Sequence, residues 1–239
     1  MSTRLPAGQR EISAFPRFGL VQFAHRFPKQ LSRIGLRLVG DVEHELSLLN
    51  ALQGLPRVEQ VSDFHCVTTW SRRSLRWGGV RFVDFFERIV VPRVRPLPNT
   101  TFLVFRGQDG AHARLLLEDL LAPDVLLADT LDGSPLTVEH GAPLRLVAPA
   151  QYGYKSVKHL SQIEFRRNDE GYRPPAFRFM DHPRARVALE ERGRWVPGWL
   201  LRYLYRPLVS VTAARFAKAM EKYARERTSL LSQDDNSKP

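Results

Sequence analysis

Hydrophobic residues along the chain occur in short blocks separated by glycine and proline. Alternating or uniformly apolar segments predict strands at 36–40, 58–66, 101–106, 143–149 and 160–166. Helical spacing and helix-ending residues predict short helices at 46–55 and 83–90, a strand end with a helix start at 115–121, and a turn at 131–135. In the second helix, Val83, Phe86 and Val90 share the apolar face. Strands and helices in irregular order favour an α+β fold with a mixed β-sheet over a doubly wound fold.

The two ends of the chain differ from its middle. Residues 1–32 are irregular, and we expect four phenylalanines to hold this arm against the body: Phe15, Phe18, Phe23 and Phe27. Near the other end, helical spacing predicts a helix at 209–227 with one apolar side formed by Val209, Ala213, Phe216, Met220 and Tyr223. The polar residues 232–239 are typical of a disordered tail. The predicted domains are an arm at 1–32, a body at 33–170 and a basic, largely helical extension at 171–239.

Composition and charge narrow the classes of protein. The 239 residues are 43% hydrophobic and 26% charged, as in an ordinary globular protein. One cysteine excludes a disulfide framework and a zinc site with four or two cysteines. The net charge is +11, and residues 166–227 carry 15 basic and 7 acidic residues, whereas residues 1–165 carry 20 and 16. This distribution indicates an enzyme-like body with a basic extension.

The start of the chain has neither an apolar run of signal-peptide length nor a twin-arginine pair. The most apolar stretch, 195–211, is interrupted by two prolines and two arginines, and is unlike the uninterrupted apolar run of a membrane-spanning helix. We therefore expect a cytoplasmic protein.

Cys66 is the first candidate for chemistry. A lone cysteine is most often a small buried apolar residue. Its neighbour His65 and the arginines at 72, 73 and 76 favour a thiolate, which attacks electrophiles and binds soft metals. The residues alone leave three interpretations open: a buried side chain, a nucleophile, and a single-thiolate metal ligand.

A second candidate lies at 139–158. Gly141 and Gly153 allow the backbone to approach a ligand closely. Arg145, Lys155 and Lys158 supply cationic donors suited to phosphate. The alternative is an ordinary turn with solvated lysines.

Five segments together resemble the molybdopterin-binding oxidoreductases of the sulfite oxidase fold. They occur in the family's order: Cys-Val-x-x-Trp-Ser at 66–71, Trp-Gly-Gly-Val at 77–80 before an Asp-Phe-Phe helix, an acidic turn within 120–131, His-Gly-Ala-Pro-Leu-Arg at 140–145, and Gly-Tyr-Lys-Ser-Val-Lys at 153–158. The resemblance covers residues 33–166 and implies a sulfite-oxidase-type α+β fold. It also implies an enzyme that transfers an oxygen atom to or from a small oxyanion or sulfoxide.

The resemblance assigns roles by matching positions. Cys66 matches the molybdenum ligand, and a soft thiolate suits this metal because the pterin dithiolene supplies the other sulfurs. The positions matching the pterin-binding residues are His140, Arg145, Ser156, Val157 and Lys158. Candidate catalytic groups in the substrate pocket are His65 and Tyr154.

Three positions depart from relatives that reduce methionine sulfoxide. Thr68 stands in place of a glutamate, His140 in place of an asparagine, and His159 in place of a frequent tryptophan. His140 is similar to the sulfite oxidases. These departures leave the substrate and the direction of the reaction open.

Several partners are compatible with the sequence. No haem-binding segment is visible, so we expect electrons to pass through a separate partner protein. The basic extension either packs on the body with a solvated face or docks to an acidic partner or an anionic membrane. Nucleic acid is the least favoured partner, because the aromatic residues lie in an apolar helix. The alternative to an enzyme is a non-catalytic basic interaction module of the same fold, followed by a hydrolase with a cysteine nucleophile.

Overall fold

The computed structural model describes residues 4–235, with side chains described up to residue 229. The strands are β1 (Arg10–Glu11), β2 (Gly35–Gly40), β3 (Leu46–Leu49), β4 (Arg57–His65), β5 (Trp70–Arg81), β6 (Phe102–Gly107), β7 (His112–Leu116), β8 (Leu126–Leu131), β9 (Ser134–Pro135), β10 (Arg145–Val147) and β11 (Leu160–Arg166). The α-helices are α1 (Phe82–Phe85), α2 (Leu117–Leu120), α3 (Gly198–Tyr205) and α4 (Leu208–Asp235). This mixture confirms the predicted α+β class.

The strands form two mixed sheets. In the first sheet, β5 pairs with β1 in parallel and with β4 and β8 antiparallel, and β8 also pairs with β9 and β10. The second sheet has the order β3-β2-β11-β6-β7, with only β2 and β11 parallel. The long strand β5 is therefore the element that joins most of the first sheet.

The main core contains apolar residues from both sheets. Leu38, Phe105 and Ile163 lie at opposing positions on β2, β6 and β11 and are fully buried. Val80 and Leu127 come from the first sheet. Because burial of such a side chain contributes about 1.5–3 kcal/mol, this cluster is the principal stabilising feature of the body.

The predicted helix at 46–55 is wrong. Leu46–Leu49 is strand β3, which pairs antiparallel with β2, and a turn follows it. Leu46 and Leu48 pack on the core while the residues between and after them are exposed, so the alternation of a strand was present in the sequence. Pairing with β2 outweighs the local helical preference.

The predicted helix at 83–90 begins one residue earlier and changes type. After α1, the chain continues as a π-helix over Phe86–Val94 that contains Pro92. The fully buried residues are Phe82, Phe85, Val90 and Val94, whereas Val83 and Phe86 are only partly buried. The wider turn of a π-helix places residues five apart on one face, which the α-helical spacing could not predict.

The N-terminal arm is irregular apart from β1 and a 3₁₀ turn at Val21–Phe23. Its phenylalanines contact both the body and α4: the Phe15 ring stacks on His140 at 4.9 Å, and the Phe27 ring stacks on Tyr223 at 4.1 Å. Phe18 lies against Trp70 and Phe216, and Phe23 is buried. The arm therefore lies between the body and α4.

Helix α4 is longer than predicted. It includes 209–227 with Phe216 buried and Tyr223 half-buried, and it continues through 232–235, where the sequence predicted disorder. The rest of the predicted disordered tail, 236–239, lies outside the described residues. None of the helices within 4–235 has both the length and the hydropathy to cross a membrane.

A buried charge network joins the C-terminal extension to the body. The ammonium of Lys155, fully buried, donates to Arg114 O (2.9 Å) and to Asp181 Oδ1 (3.2 Å). Arg114 lies 3.4 Å from Asp181 Oδ2 and donates to the exposed Asp169 at 2.8 Å. The extension is thus tied to β7 and to the 153–158 segment by ionic contacts.

Replacement of Asp181 by Asn tests this network. We expect it to lower the free energy of unfolding by about 3–5 kcal/mol at pH 7, because Lys155 loses its buried carboxylate. Burial lowers the pKa of Lys155 to about 8 in the folded protein, whereas an unfolded lysine holds its proton to about pH 10. The unfolded state therefore binds more protons between these values, and stability rises with pH there.

At about pH 10 Lys155 is neutral in the folded protein and no longer needs a carboxylate partner. The difference in free energy of unfolding between the wild type and Asp181→Asn should therefore be smaller at about pH 10 than at pH 7, as measured by urea unfolding at both values. The matched control is Asp169→Asn, whose carboxylate is 58% exposed and should change stability by less than about 1 kcal/mol. An equal loss at both pH values would show that the charge of Lys155 is not what Asp181 stabilises.

Candidate cofactor site

A cavity of about 210 Å³ lies where the arm, the body and the extension meet. The arm contributes residues 15–20, the body contributes the turn between β4 and β5 and the segment 153–158, and the extension contributes residues 174–176 and Tyr205. The lining is mostly apolar, and its aromatic residues are Phe15, Phe18, Phe23, Phe64, Trp70, Tyr154, Tyr205 and Phe216.

Cys66 lies on the cavity wall at the first position of the β4–β5 turn. Its N–H donates to Trp70 O at 2.8 Å, and its carbonyl accepts from Thr69 N at 3.2 Å. Thr69 has a φ of 83°, so the turn carries a residue in the left-handed region, which non-glycine residues seldom adopt. Gln9 of the arm also donates to the Cys66 carbonyl at 3.0 Å. The thiol is thereby held at a defined place in the wall.

The thiol of Cys66 has little access to solvent. Burial raises its pKa, while the Thr68 hydroxyl at 3.1 Å and the positive charges of Arg192 and Lys158 act in the opposite direction. The isolated group is therefore a neutral thiol at pH 7. A bound cation would reverse this, since a coordinating thiol loses its proton outright.

The donor set for a metal is sparse. Within the described residues, no group of three or more histidine, cysteine or acidic side chains is close enough to hold a metal ion. A metal at Cys66 would therefore have one protein thiolate and take its remaining ligands from a cofactor.

Three cations lie beside or behind the cavity without an acidic partner. Lys158 Nζ donates to Glu139 O at 2.7 Å, and the fully buried Arg145 donates to His140 O at 2.8 Å. Arg17 of the arm donates to the carbonyls of residues 23, 24 and 26. Among the side chains described, those of residues 4–229, none of these three forms an ion pair with a carboxylate.

Burial and mutual repulsion raise the energy of these charges. Burial, together with the charges of Arg145 and Arg17, lowers the pKa of Lys158 to about 7. Burial alone lowers the pKa of Arg145 to about 9. An anionic ligand between these groups would relieve the repulsion, so the site is suited to a phosphate.

Comparison with known proteins identifies the family. Residues 25–172 match the model of the oxidoreductase molybdopterin binding domain. A Bacillus subtilis protein, "Uncharacterized oxidoreductase YuiH", is 34% identical over 173 residues, which cover 72% of this chain and 84% of that protein. The chain belongs to the molybdopterin-binding oxidoreductase family.

Other relatives are matched over smaller shares of their length. The catalytic subunit MsrP of the protein-methionine-sulfoxide reductase from Xanthomonas campestris is 32% identical over 57% of this chain and 46% of that subunit. This chain therefore spans about half the length of that relative. A solved structure, the sulfane dehydrogenase SoxCD from Paracoccus pantotrophus, is 21% identical over 56% of this chain and 38% of that chain, with a TM-score of 0.49.

The site fits the family's cofactor, molybdenum bound by molybdopterin. Trp70 and Tyr205 line the cavity, and their indole N–H and hydroxyl have no hydrogen-bond partner among the described residues. His140 Nδ1 and His159 Nε2 are also buried without a partner there. A buried polar atom without a partner costs about 1–3 kcal/mol, so a polar cofactor would remove this cost. The single thiolate and the unpaired cations suit the metal and the pterin phosphate.

The structure brings five of the eight predicted site residues to the cavity: Cys66, Tyr154, Ser156, Val157 and Lys158. These side chains differ in the contacts that they can offer a ligand. The Ser156 hydroxyl already accepts from Ala148 N at 3.1 Å, and Val157 contributes an apolar contact. Arg145 and His140 lie behind the wall, where Arg145 donates to the carbonyls of His140 and Ser156. Their proposed roles in holding the pterin stay predictions.

The two predicted catalytic groups both have hydrogen-bond partners within the protein. His65 is not among the cavity-lining residues; its ring nitrogen lies 2.8 Å from the Ser71 hydroxyl, and burial lowers its pKa. The Tyr154 hydroxyl donates to His182 O at 3.3 Å and accepts from His182 N at 3.1 Å. Burial raises the pKa of Tyr154 well above its ordinary value. These hydrogen bonds fix the orientation of both side chains, and their catalytic roles stay predictions.

Two arginines at the site were missed in the sequence. Arg17 lines the cavity, and the signal for it was a basic residue among the arm phenylalanines. The fully buried Arg192 of the extension donates to Val67 O (2.6 Å), to Ala7 O (2.8 Å) and to Glu190 Oε1 (3.1 Å). Arg192 therefore holds Val67, the residue after Cys66, by a hydrogen bond between positions 125 residues apart in sequence. No local sequence pattern predicts such a contact.

Arg192→Met should loosen the turn that carries Cys66. We expect the free energy of unfolding to fall by about 3–5 kcal/mol, because a buried ion pair is broken and two carbonyls lose a donor. Molybdenum content should fall with it, as measured by elemental mass spectrometry on folded protein. The control is Arg178→Met, an exposed arginine of the same extension. Unchanged stability and metal content in Arg192→Met would contradict the proposal that Arg192 holds the turn carrying Cys66.

Proposed function

We propose that this protein transfers an oxygen atom to or from a small sulfoxide or oxyanion, with Cys66 as the protein ligand of molybdenum. The single observation that carries the proposal is the placement of the thiol in the wall of an apolar cavity, beside cations that lack acidic partners. When bound, the cofactor supplies the two-electron redox change that this reaction requires. A separate electron-transfer partner completes the cycle.

The protein side chains then have distinct tasks. Cys66 binds the metal, and its burial in the wall excludes water from the sulfur. Lys158, Arg145 and Arg17 stabilise the anionic end of the cofactor. The aromatic residues of the cavity wall exclude water from the site, which strengthens each electrostatic contact inside it.

The character of the cavity favours a sulfoxide as the substrate. Its walls are mostly apolar, and they suit a neutral molecule carrying hydrocarbon groups better than a small hydrated anion. The Xanthomonas relative is named for the reduction of a methionine sulfoxide, which is the same chemical group. In that direction, a sulfoxide with two electrons and two protons yields a thioether and water. Thr68 lines the cavity where those relatives carry a glutamate, so the polar contact to a bound sulfoxide differs here.

Metal analysis tests the role of Cys66. We expect about one molybdenum per chain, with a pterin detected by the fluorescence of its oxidised form, in protein made by cells that assemble the cofactor. Cys66→Ala should lose most of the molybdenum while melting at a similar temperature. The matched control is Thr68→Val, which removes the hydroxyl that contacts the thiol at 3.1 Å and keeps the sulfur.

The absence of both metal and pterin from the wild-type protein would overturn the proposal. The interaction-module alternative would then predict a colourless protein whose retention on polyanions weakens with salt. Loss of molybdenum from Thr68→Val but not from Cys66→Ala would refute the assigned ligand.

An activity assay tests the substrate class. With a reduced viologen as electron donor, we expect dye oxidation that depends on dimethyl sulfoxide or methionine sulfoxide. The rate should drop by at least about 100-fold in Cys66→Ala, because the metal is no longer held at the wall. Sulfite oxidation with ferricyanide is the opposing assay. A faster rate with sulfite than with either sulfoxide would assign the protein to oxyanion oxidation instead.

A further inference from the structure

The outer face of the extension exposes an unusual number of large apolar side chains. Trp199, Leu200, Tyr203 and Leu204 of α3 are 55, 41, 62 and 60% exposed. Trp195 precedes the helix, and Leu208 and Val211 follow it on α4, all of them more than half exposed. We call these seven residues the apolar ridge. Exposed apolar residues are ordinary when scattered, whereas a continuous group of this kind marks an interaction surface.

Helix α3 is apolar on both of its sides. Leu201 and Tyr205 face the body and are buried. The opposite side carries Trp199 and Tyr203, which are neighbours because they are four residues apart. A surface helix normally has a polar outer side, and one that is hydrophobic all round is found inside a protein or in contact with lipid. Within residues 4–229, no side chain covers this outer face enough to bury it.

The ridge is held rigidly against the cofactor site. The backbone of Gly198, where α3 begins, packs so closely on the carbonyl of Glu190 that a Cβ there would clash. At the other end of α3, Tyr205 lines the cavity. The same Glu190 binds Arg192, which holds the turn carrying Cys66. The exposed side of α3 is thus a fixed surface next to the cavity.

The chain segment that carries the ridge has only basic charges, and of these Arg192 and Arg202 are paired with Glu190. Residues 192–220 contain six basic residues and no acidic ones. Arg206, Arg215 and Lys218 have no carboxylate partner among the described residues. The guanidinium of Arg194 lies 5.2 Å from the Trp195 ring, and that of Arg202 lies 5.6 Å from the Tyr203 ring. Cations therefore border the aromatic residues on the ridge itself.

We propose that the apolar ridge docks on the surface of an anionic lipid bilayer. Tryptophan and tyrosine prefer the boundary between hydrocarbon and headgroups, and arginines bind lipid phosphates in a bidentate manner. The leucines and Val211 would enter the upper part of the acyl region, as in other helices that lie in the membrane interface. A second copy of the chain is disfavoured as the occupant, because two surfaces with this charge repel each other. Docking of this kind does not depend on the proposed reaction.

Vesicle binding tests the proposal. Holoenzyme is mixed with vesicles of phosphatidylcholine alone or of phosphatidylcholine with phosphatidylglycerol, and bound protein is measured by flotation. We expect binding to the anionic vesicles that weakens as salt is added, because surface charge is screened. Of the four tryptophans, Trp70 and Trp77 are buried and only Trp195 and Trp199 are exposed. A blue shift of tryptophan emission on binding would therefore report the ridge.

Two sets of variants separate the apolar and the charged contributions. Trp199→Gln with Leu204→Gln should weaken binding to the anionic vesicles by about tenfold or more, because apolar area no longer enters the interface. Arg206→Gln with Arg215→Gln should weaken binding to the anionic vesicles by about fivefold for each arginine, because each basic side chain near the surface is attracted to anionic lipid. The matched control is Leu49→Gln with Arg37→Gln, an exposed leucine and an exposed arginine in the second sheet.

The possible outcomes decide for or against the membrane. Binding that is lost in the ridge variants and kept in the control supports the proposal. An absence of binding at low salt, or equal loss in the ridge and control variants, overturns it. A dimer found by sedimentation equilibrium without vesicles, and abolished by Trp199→Gln with Leu204→Gln, would assign the ridge to a second copy and also overturn it. Unchanged melting temperatures in all variants keep the comparison valid.

Discussion

Buried positive charge that is satisfied largely by backbone carbonyls is the feature on which the structure depends. Arg17 binds three carbonyls of the arm, Arg145 binds those of the 140–156 region, and Arg192 binds Ala7 and Val67. Arg192 joins segments far apart in sequence, whereas Arg17 and Arg145 each fold a local segment around the guanidinium. A carbonyl dipole satisfies the donor without cancelling the charge, so a positive field remains inside the protein. An anionic cofactor is the natural complement of such a field.

The parts of the fold that were predictable are those that local patterns specify. Alternation and apolar runs located β2, β4, β6 and β11, because each of these strands is buried in a regular way. The helix predicted at 46–55 was wrong because pairing with β2 decides the conformation of Leu46–Leu49. The buried face of 82–94 was misplaced because the π-helix changes the spacing. In both cases a tertiary constraint outweighed a local preference.

For the site, the sequence predicted which residues lie in the wall but not which hydrogen bonds they form. Motif resemblance found the side chains on the wall, including Cys66 and Lys158. It could not show that the Tyr154 hydroxyl is occupied by the backbone of His182, or that His65 turns toward Ser71. These hydrogen bonds depend on where the extension and the arm pack against the body. Contacts across more than a hundred residues, such as that from Arg192 to Val67, leave no trace in local spacing.

The extension is therefore part of the site as well as an addition to the body. One side of it supplies Asp181 to Lys155, Arg192 to the turn with Cys66, and Tyr205 to the cavity wall. The opposite side of α3 presents apolar and basic residues to the exterior. Because the same short helix has both contacts, a ligand on the outer surface and a cofactor in the cavity share one rigid support.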